Sequence, residues 1–450
     1  MRLDESPFKD FDKEDFKAML ENFNTKTIGN YPNVLSKVKI WDESLRDGEQ
    51  SPGTFLKMNE KIEITKLLDE IGVDVIATGF PAVSKEEQST VKKIVKEGFK
   101  NANIAAVSRM IRGDIDAVLA TECKEIIFFL PLSDLFLNLV LRKERKEIAK
   151  MVVDALGYAK DHGLIVSVVA EDASRTKIHH VLDYFRLTLD NGASRLVYAD
   201  TVGVLFPETT HEVVGKILSS LNETHKGKFE MGIHVHDDFG MATANTVAGV
   251  LEGVAYPHVC INGYGERAGN APLEEVAVSL EMNGINTGLK LEKIYELSKI
   301  AEEYFGIPLT SHKPIVGNYS FSHESGIHVA AVLMHPMTYE PIPPKKVGRK
   351  RQFYIGKGSG IHSIQDKLSQ VGMEFPRDIL QEIVEKVKEK QEKKDKIARQ
   401  KIFKHIMDEL QLISTGVTDD EFWHIVLEKI RNNEKYKDQE KNIPPTKSNE

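Results

Sequence analysis

Apolar and β-branched residues gather in eight short runs along the chain. They lie at 38–41 (VKIW), 73–77 (VDVIA), 103–107 (NIAAV), 125–130 (EIIFFL), 164–169 (LIVSVV), 195–199 (RLVYA), 231–235 (MGIHV) and 257–262 (PHVCIN). Between them apolar positions recur at helical spacing, as in MNEKIEITKLLDEIG (58–72), RKEIAKMVVDALGYAKDHG (145–163) and HEVVGKILSSL (211–221). Strands alternating with helices predict a parallel α/β fold. Short, continuously apolar strands fit a sheet covered on both faces. Eight such units over 37–287 match a (β/α)8 TIM barrel. A doubly wound open sheet is the competing arrangement, and the absence of GxGxxG after the first run disfavours it.

The pattern changes outside the barrel. Residues 1–36 are polar with scattered aromatics and read as an extension with one helix around 13–22. After 287 a helical pattern covers 291–304, and 311–360 is rich in Pro, Gly and His, so 288–370 reads as a linker subdomain. Apolar positions at helical spacing on a charged background over 376–412 predict a mostly helical C-terminal region, 371–432. The tail 433–450 has the composition of a disordered segment.

Composition narrows the class. The formal charge is −8 and the pI about 6.1, which argues against a nucleic-acid-binding surface. Two distant cysteines, Cys123 and Cys260, form no CxxC pattern and suit a reducing, cytoplasmic setting. No secretory signal is visible at the N-terminus, and no apolar run approaches the roughly 18 residues of a membrane span.

The sharpest chemical signal is GIHVHDDFGMATAN, 232–245. Residues i and i+2 of a strand share a side, so His234 and His236 present two imidazoles together at a strand end. In a barrel that end is the catalytic face. Two imidazoles there suit a metal, and they equally suit a hydrogen-bonded core. A metal would need a carboxylate, and WDESLRDGEQ (41–50) offers Asp47 at the end of the first strand, with Arg46 beside it to neutralise an oxyanion. VVAEDASR puts Glu171 and Asp172 after the fifth strand, and YADTVG puts Thr201 after the sixth. NGYGERAGNAPLEE (262–275) after the eighth, and GKGSG (356–360) later on, are each either phosphate cradles or tight turns; the turn is favoured for GKGSG.

Taken together, DESLRDGEQSPG, AEDASR, ADTVG, HVHDDFGMATAN, NGYGERAGNAPLEE, FSHESGIH and TYEPIPPKKVGR…GKGSG resemble, in order, the isopropylmalate/homocitrate synthase family. SRMIRGDIDAVLA and LPLSDL are most similar to the nitrogen-fixation type of homocitrate synthase and to Re-face citrate synthases. The resemblance implies a Claisen condensation of acetyl-CoA with a 2-oxo acid, then thioester hydrolysis. It implies a divalent cation (Mn2+, Mg2+ or Zn2+) on Asp47, His234 and His236, with Asn270 close by. Arg46, Glu171 and His328 are implied as catalytic residues, and Gln50, Arg109 and Thr201 as substrate-binding ones. His328 is implied to reach a partner's active site, hence a homodimer. Three positions depart from the family: Thr78 for a usual glutamate, Glu43 for a usual threonine, and Asp237 for a usual asparagine. The region after 330 lacks the β-rich pattern of a leucine-binding regulatory domain.

The resemblance leaves several acids open. A lysine-pathway homocitrate synthase would carry an arginine at Ser167, four residues before Glu171. Arg109 and Arg175 are the candidate replacements for holding a second carboxylate. Oxaloacetate, and so citrate (Re)-synthase activity, is the expected reading; 2-oxoglutarate (homocitrate synthase) comes next, then isopropylmalate or citramalate synthesis. A lyase on the same barrel would lack the FSHESGIH segment. A non-haem iron oxygenase would lack the alternating helices. A non-catalytic regulator would be expected to lose Asp47 or the histidine pair.

Overall fold

The computed structural model describes residues 23–413 and 416–444. Eight strands pair in sequence order: β1 (Trp41–Asp42), β2 (Val75–Ala77), β3 (Asn103–Ser108), β4 (Glu125–Pro131), β5 (Ile165–Glu171), β6 (Arg195–Asp200), β7 (Glu230–Val235) and β8 (Tyr256–Val259). All are parallel, and Trp41 is in register with Val75 on one side and His258 on the other. That double pairing closes the sheet, so the fold is the TIM barrel and the open sheet is excluded. Every strand therefore ends on the same rim.

The strands read as unbroken apolar runs because each side of them meets a different core. In β4, Ile126, Phe128 and Leu130 pack outward under the helices, while Ile127 packs into the barrel with Trp41, Val75, Val107, Val169 and Val197. Helix Met58–Ile71 shows the matching logic. It buries Ile62, Ile64, Leu68 and Ile71, and ends at Gly72 (φ 107°), whose N–H returns to the Leu68 carbonyl.

The N-terminal end of the barrel is plugged by charge. Glu125, at the start of β4, is buried and pairs with Arg195 of β6, and Ser167 Oγ donates to Glu125 Oε1 (3.0 Å). The Arg195 guanidinium also lies 5.0 Å from the Tyr256 ring centroid. Removing one partner of a buried pair leaves the other unsatisfied. Arg195→Met is expected to cost about 3–5 kcal/mol, read as a lower urea midpoint. An unchanged midpoint would show that Glu125 is solvated in the folded protein.

After β8 the chain buttresses the catalytic rim before leaving it. In helix Ile294–Phe305, the Ser298 carbonyl accepts from Asn262 Nδ2 (3.0 Å), and Phe305 packs on Tyr264 (centroids 4.9 Å) and against Gly48. Further on, Ser322–His323 and Gln352–Phe353 form a two-residue parallel ladder. Helices Ile361–Ser369 and Arg377–Glu392 share a small core of Ile364, Leu380 and Val384, so the boundary expected at 370 falls inside a packed unit. GKGSG is a turn closed on Glu324: Gly358 N–H donates to Glu324 Oε1 and Gly356 N–H to Ser359 Oγ, both at 2.9 Å.

Phe23–Ile28 is helical; the helix expected around 13–22 lies outside the described residues. The tail expected to be disordered forms 3-10 turns over Glu434–Asn442, tied by Arg431 to Glu440; 445–450 are not among the described residues. Both cysteines are buried and unpaired. No helix among the described residues is long and apolar enough to cross a membrane.

Candidate active site

The five charges of WDESLRDGEQ separate by direction. Asp42 accepts the N–H and hydroxyl of Ser44, both at 2.9 Å, and Ser44 Oγ accepts Ile261 N–H (2.7 Å), which locks the β1 loop to the β8 loop. Glu49 pairs with the buried Lys61 (2.5 Å), which also holds Glu87 (2.7 Å). Gly79, at φ 136°, sits against Glu87: a Cβ there would lie 1.8 Å from Oε1, so only glycine allows the approach. Arg46 gives Nε to Glu43 (2.7 Å) and Nη1 to Asp47 (2.6 Å). No hydrogen bond from its Nη2 is made among the described residues.

Glu43 is fully buried and lies 3.1 Å from His258 Nδ1. Burial alone would raise its carboxyl, but Arg46 and His258 outweigh that and hold it at about 2. The carboxylate missing at position 78 is thus present in space. Thr78 only donates its hydroxyl to the Ala105 carbonyl, and Glu43 grips the arginine from β1 instead.

His234 on β7 and His236 just after it face each other, Nε2 to Nε2 at 3.2 Å, and Asp47 Oδ2 lies 3.7 and 3.9 Å from the same two nitrogens. Burial, then His236, push His234 down to about 3, so its imidazole is neutral at pH 7. Burial would raise Asp47, but Arg46 and the two histidines hold it well below the usual carboxylate range. Two neutral imidazoles and one ionised carboxylate form a donor set for a divalent cation. Asn270 donates Nδ2 to Asp47 Oδ1 (2.9 Å), and its Oδ1 is buried without a hydrogen-bond partner beside the group. The residues present therefore fit such an ion. Gly265 makes room for Asn270: a Cβ there would lie 2.1 Å from its Nδ2. A second buried group, Glu43, His234 and His258, adjoins the first through His234.

A cavity of about 660 Å3 is lined by Arg46, Asp47, Gln50, Glu171, Thr201, His234 and His236. Among the described residues, the Glu171 carboxylate has no hydrogen-bonded partner to stabilise its charge. Burial, then Asp172, raise it to about 7 against the opposing pull of Arg46. Asp172 follows in a left-handed turn (φ 55°), where its N–H donates to Thr201 Oγ1 (2.8 Å) and its carboxylate holds Arg175. Seven of the ten candidate site residues thus meet at one cavity, and Asn270 stands behind Asp47.

The structure does not bring the other two in. Arg109 lies outside the cavity lining, exposed and held by both Asp114 oxygens (2.7 and 3.1 Å), because the turn after β3 directs it along the helix that follows. His328 is exposed on helix Gly326–Met334, stacked on Tyr339 (centroids 4.0 Å), away from its own chain's cavity. Conversely, Arg267 lines the cavity in a left-handed conformation (φ 55°). It is bidentate to Asp238 at 2.8 Å and donates to the Thr201 carbonyl (2.7 Å). The glycine spacing of NGYGERAGN gives no sign of it. Asp237, at a position of departure, accepts Ala242 N–H (2.8 Å) and caps helix Ala242–Leu251.

A family model described as HMGL-like matches residues 37–301. The chain belongs to the isopropylmalate/homocitrate synthase family. A second model, described as "Homocitrate synthase post-HMGL domain-like", matches 315–395. A homocitrate synthase of Methanopyrus kandleri is 41% identical over 86% of this chain and 96% of its own. A 2-isopropylmalate synthase of Sulfolobus acidocaldarius is 41% identical over 80% and 92%. A putative (R)-citramalate synthase of M. kandleri is 43% identical over 78% and 68%. Among solved structures, a Bacillus subtilis HMG-CoA lyase shares the fold with a TM-score of 0.55 at 22% identity. It covers 62% of this chain and 97% of its own. The helical region after the barrel sets this family member apart from that shorter structure.

Proposed function

We propose that this chain condenses acetyl-CoA with a 2-oxo acid and then hydrolyses the thioester. The observation that carries the reading is the convergence of Arg46, Asp47, His234, His236, Glu171 and Thr201 on one cavity, in a chain about two-fifths identical to synthases of this type. Asp47, His234 and His236 would hold a divalent cation, with Asn270 Oδ1 beside them; bound there, the ion supplies Lewis-acid polarisation of the keto group.

The chain's own groups account for the rest. A base takes a proton from the acetyl methyl, and the carbanion attacks the keto carbon. Arg46 Nη2 steadies the oxygen on which charge develops. Glu171, protonated below about pH 7, returns a proton to that oxygen. Water then cleaves the thioester and CoA leaves as the thiol. His328 is proposed as the methyl base in the cavity of a second copy. Its exposure and its absence from the lining of its own cavity support a homodimer with shared sites.

Oxaloacetate, the acid expected from the sequence, needs a cation for its second carboxylate. Of the two candidates for that task, Arg109 is held by Asp114 and Arg175 by Asp172, so the acid's identity rests on the cavity itself.

The test is CoA release from acetyl-CoA with a panel of 2-oxo acids, with and without EDTA. Chelation is expected to stop turnover. Glu171 is the acid form below its pKa, so kcat is expected to fall as pH rises through about 7. Glu171→Gln is expected to flatten that limb and lower kcat about 10²–10⁴-fold. Turnover that survives chelation, or a limb that persists in the variant, would refute these roles.

A further inference from the structure

Resting on the condensation reading, we propose that the 2-oxo acid used by this chain carries a short, uncharged, apolar side group, received by a well of Phe80, Val107, Ile127, Phe129, Val169 and Ala199. All six line the cavity. Strand alternation puts them there: Val107 pairs with Ile127 across β3–β4, and Phe129 with Val169 across β4–β5, each pointing into the barrel. Phe80 closes the well edge-on to Phe129 (centroids 6.0 Å).

The well offers no partner for a second carboxylate. The two cations that line the cavity are already bonded: Arg46 to Glu43 and Asp47, Arg267 to Asp238. Arg46 is also needed at the reacting carbonyl. Lys61 stands behind the wall between Glu49 and Glu87. Arg109, 5.8 Å from the Phe80 ring centroid, is held by Asp114, and Arg175 by Asp172; neither is among the residues that line the cavity. Below the floor, Arg195 is neutralised by Glu125, with Ser167 completing that pair.

The remaining charged groups in the lining are acids: Asp47, Glu49, Glu86, Glu87, Glu171 and Glu266. An anionic tail entering the well would be buried unpaired beside like charges, which is strongly unfavourable. A methyl, ethyl or isopropyl group would gain from the same surface. The bare aromatic and branched walls therefore select by polarity first and by size second.

The metal-loaded protein should be assayed with pyruvate, 2-oxobutyrate, 2-oxoisovalerate, oxaloacetate and 2-oxoglutarate, and binding of each measured by calorimetry. One of the first three is expected to exceed both dicarboxylic acids by on the order of 100-fold in kcat/KM and to bind more tightly. Val169→Arg is expected to narrow or invert that ratio, and Phe129→Ala to favour the longest side group by about tenfold. If oxaloacetate or 2-oxoglutarate is preferred, the proposal is wrong. If no acid releases CoA, the condensation reading fails, and calorimetry still decides between apolar and dicarboxylic ligands.

Discussion

Asp47→Asn is expected to strip the chain of its divalent cation and lower kcat on the order of 10³-fold or more. The carboxylate is the only anionic member of the Asp47–His234–His236 group. It also lies within bonding distance of Arg46 and Asn270, so one substitution removes charge from both of these partners. The change is nearly isosteric, which separates loss of charge from loss of packing. Metal content per chain after dialysis, measured by mass spectrometry, reads the effect without reference to turnover. A thermal-shift titration with Mn2+ adds a second readout, because an ion that binds only the folded state raises its midpoint. A variant that keeps both its metal and its activity would show that Asp47 is not a ligand.

The second large effect is expected at Glu43. Its side chain is fully buried, and Arg46 is fixed through it. Glu43→Ala leaves Arg46 with Asp47 alone and removes the carboxylate beside His258. Breaking a buried ion pair in this way costs about 3–5 kcal/mol of stability. A mispositioned Arg46 is expected to lower kcat by about 10²–10³-fold, the range for losing one donor to a developing oxyanion. Glu43→Gln keeps the shape and one acceptor, so it should recover stability ahead of rate. Equal losses in both variants would mean that charge alone matters; no loss of rate in either would remove Glu43 from the positioning of Arg46. The sign with pH follows from the depressed carboxyl. The stabilisation from Glu43 is present above its unfolded value near 4.5 and is lost as pH falls toward about 2.

The same pair of positions shows where reading a sequence falls short. Thr78 stands where the family resemblance expects glutamate, and along the chain this looks like a lost acid. In the structure the acid comes from the arginine's own loop: Glu43, three residues before Arg46, turns back onto its guanidinium. Arg109 fails in the opposite direction. Its place after β3 suggests a substrate contact, but Asp114, five residues on, lies one turn into the next helix and takes both guanidinium edges. His328 is exposed and is not among the residues that line the cavity, so the geometry of one chain gives it no place there.

The sequence by itself determined the barrel, because strand and helix periods are local and eight alternations have few ways to bury their apolar sides. It placed a candidate donor set as well: HxH puts two imidazoles on one side of a strand whatever surrounds it, and the neighbouring charges name the candidates. Only the tertiary structure decided which carboxylate serves which partner. Glu125 on Arg195 and Asp238 on Arg267 join residues from different strands or loops, whereas Glu43 and Arg46 lie three residues apart and are set together by the turn of one loop. Charge pairing depends on distance in space, and for the two distant pairs barrel closure, not chain order, fixes those distances. The polarity of the substrate well has the same origin. Val107, Ile127, Phe129 and Val169 read as ordinary core residues until closure turns their side of the sheet into the floor of the site.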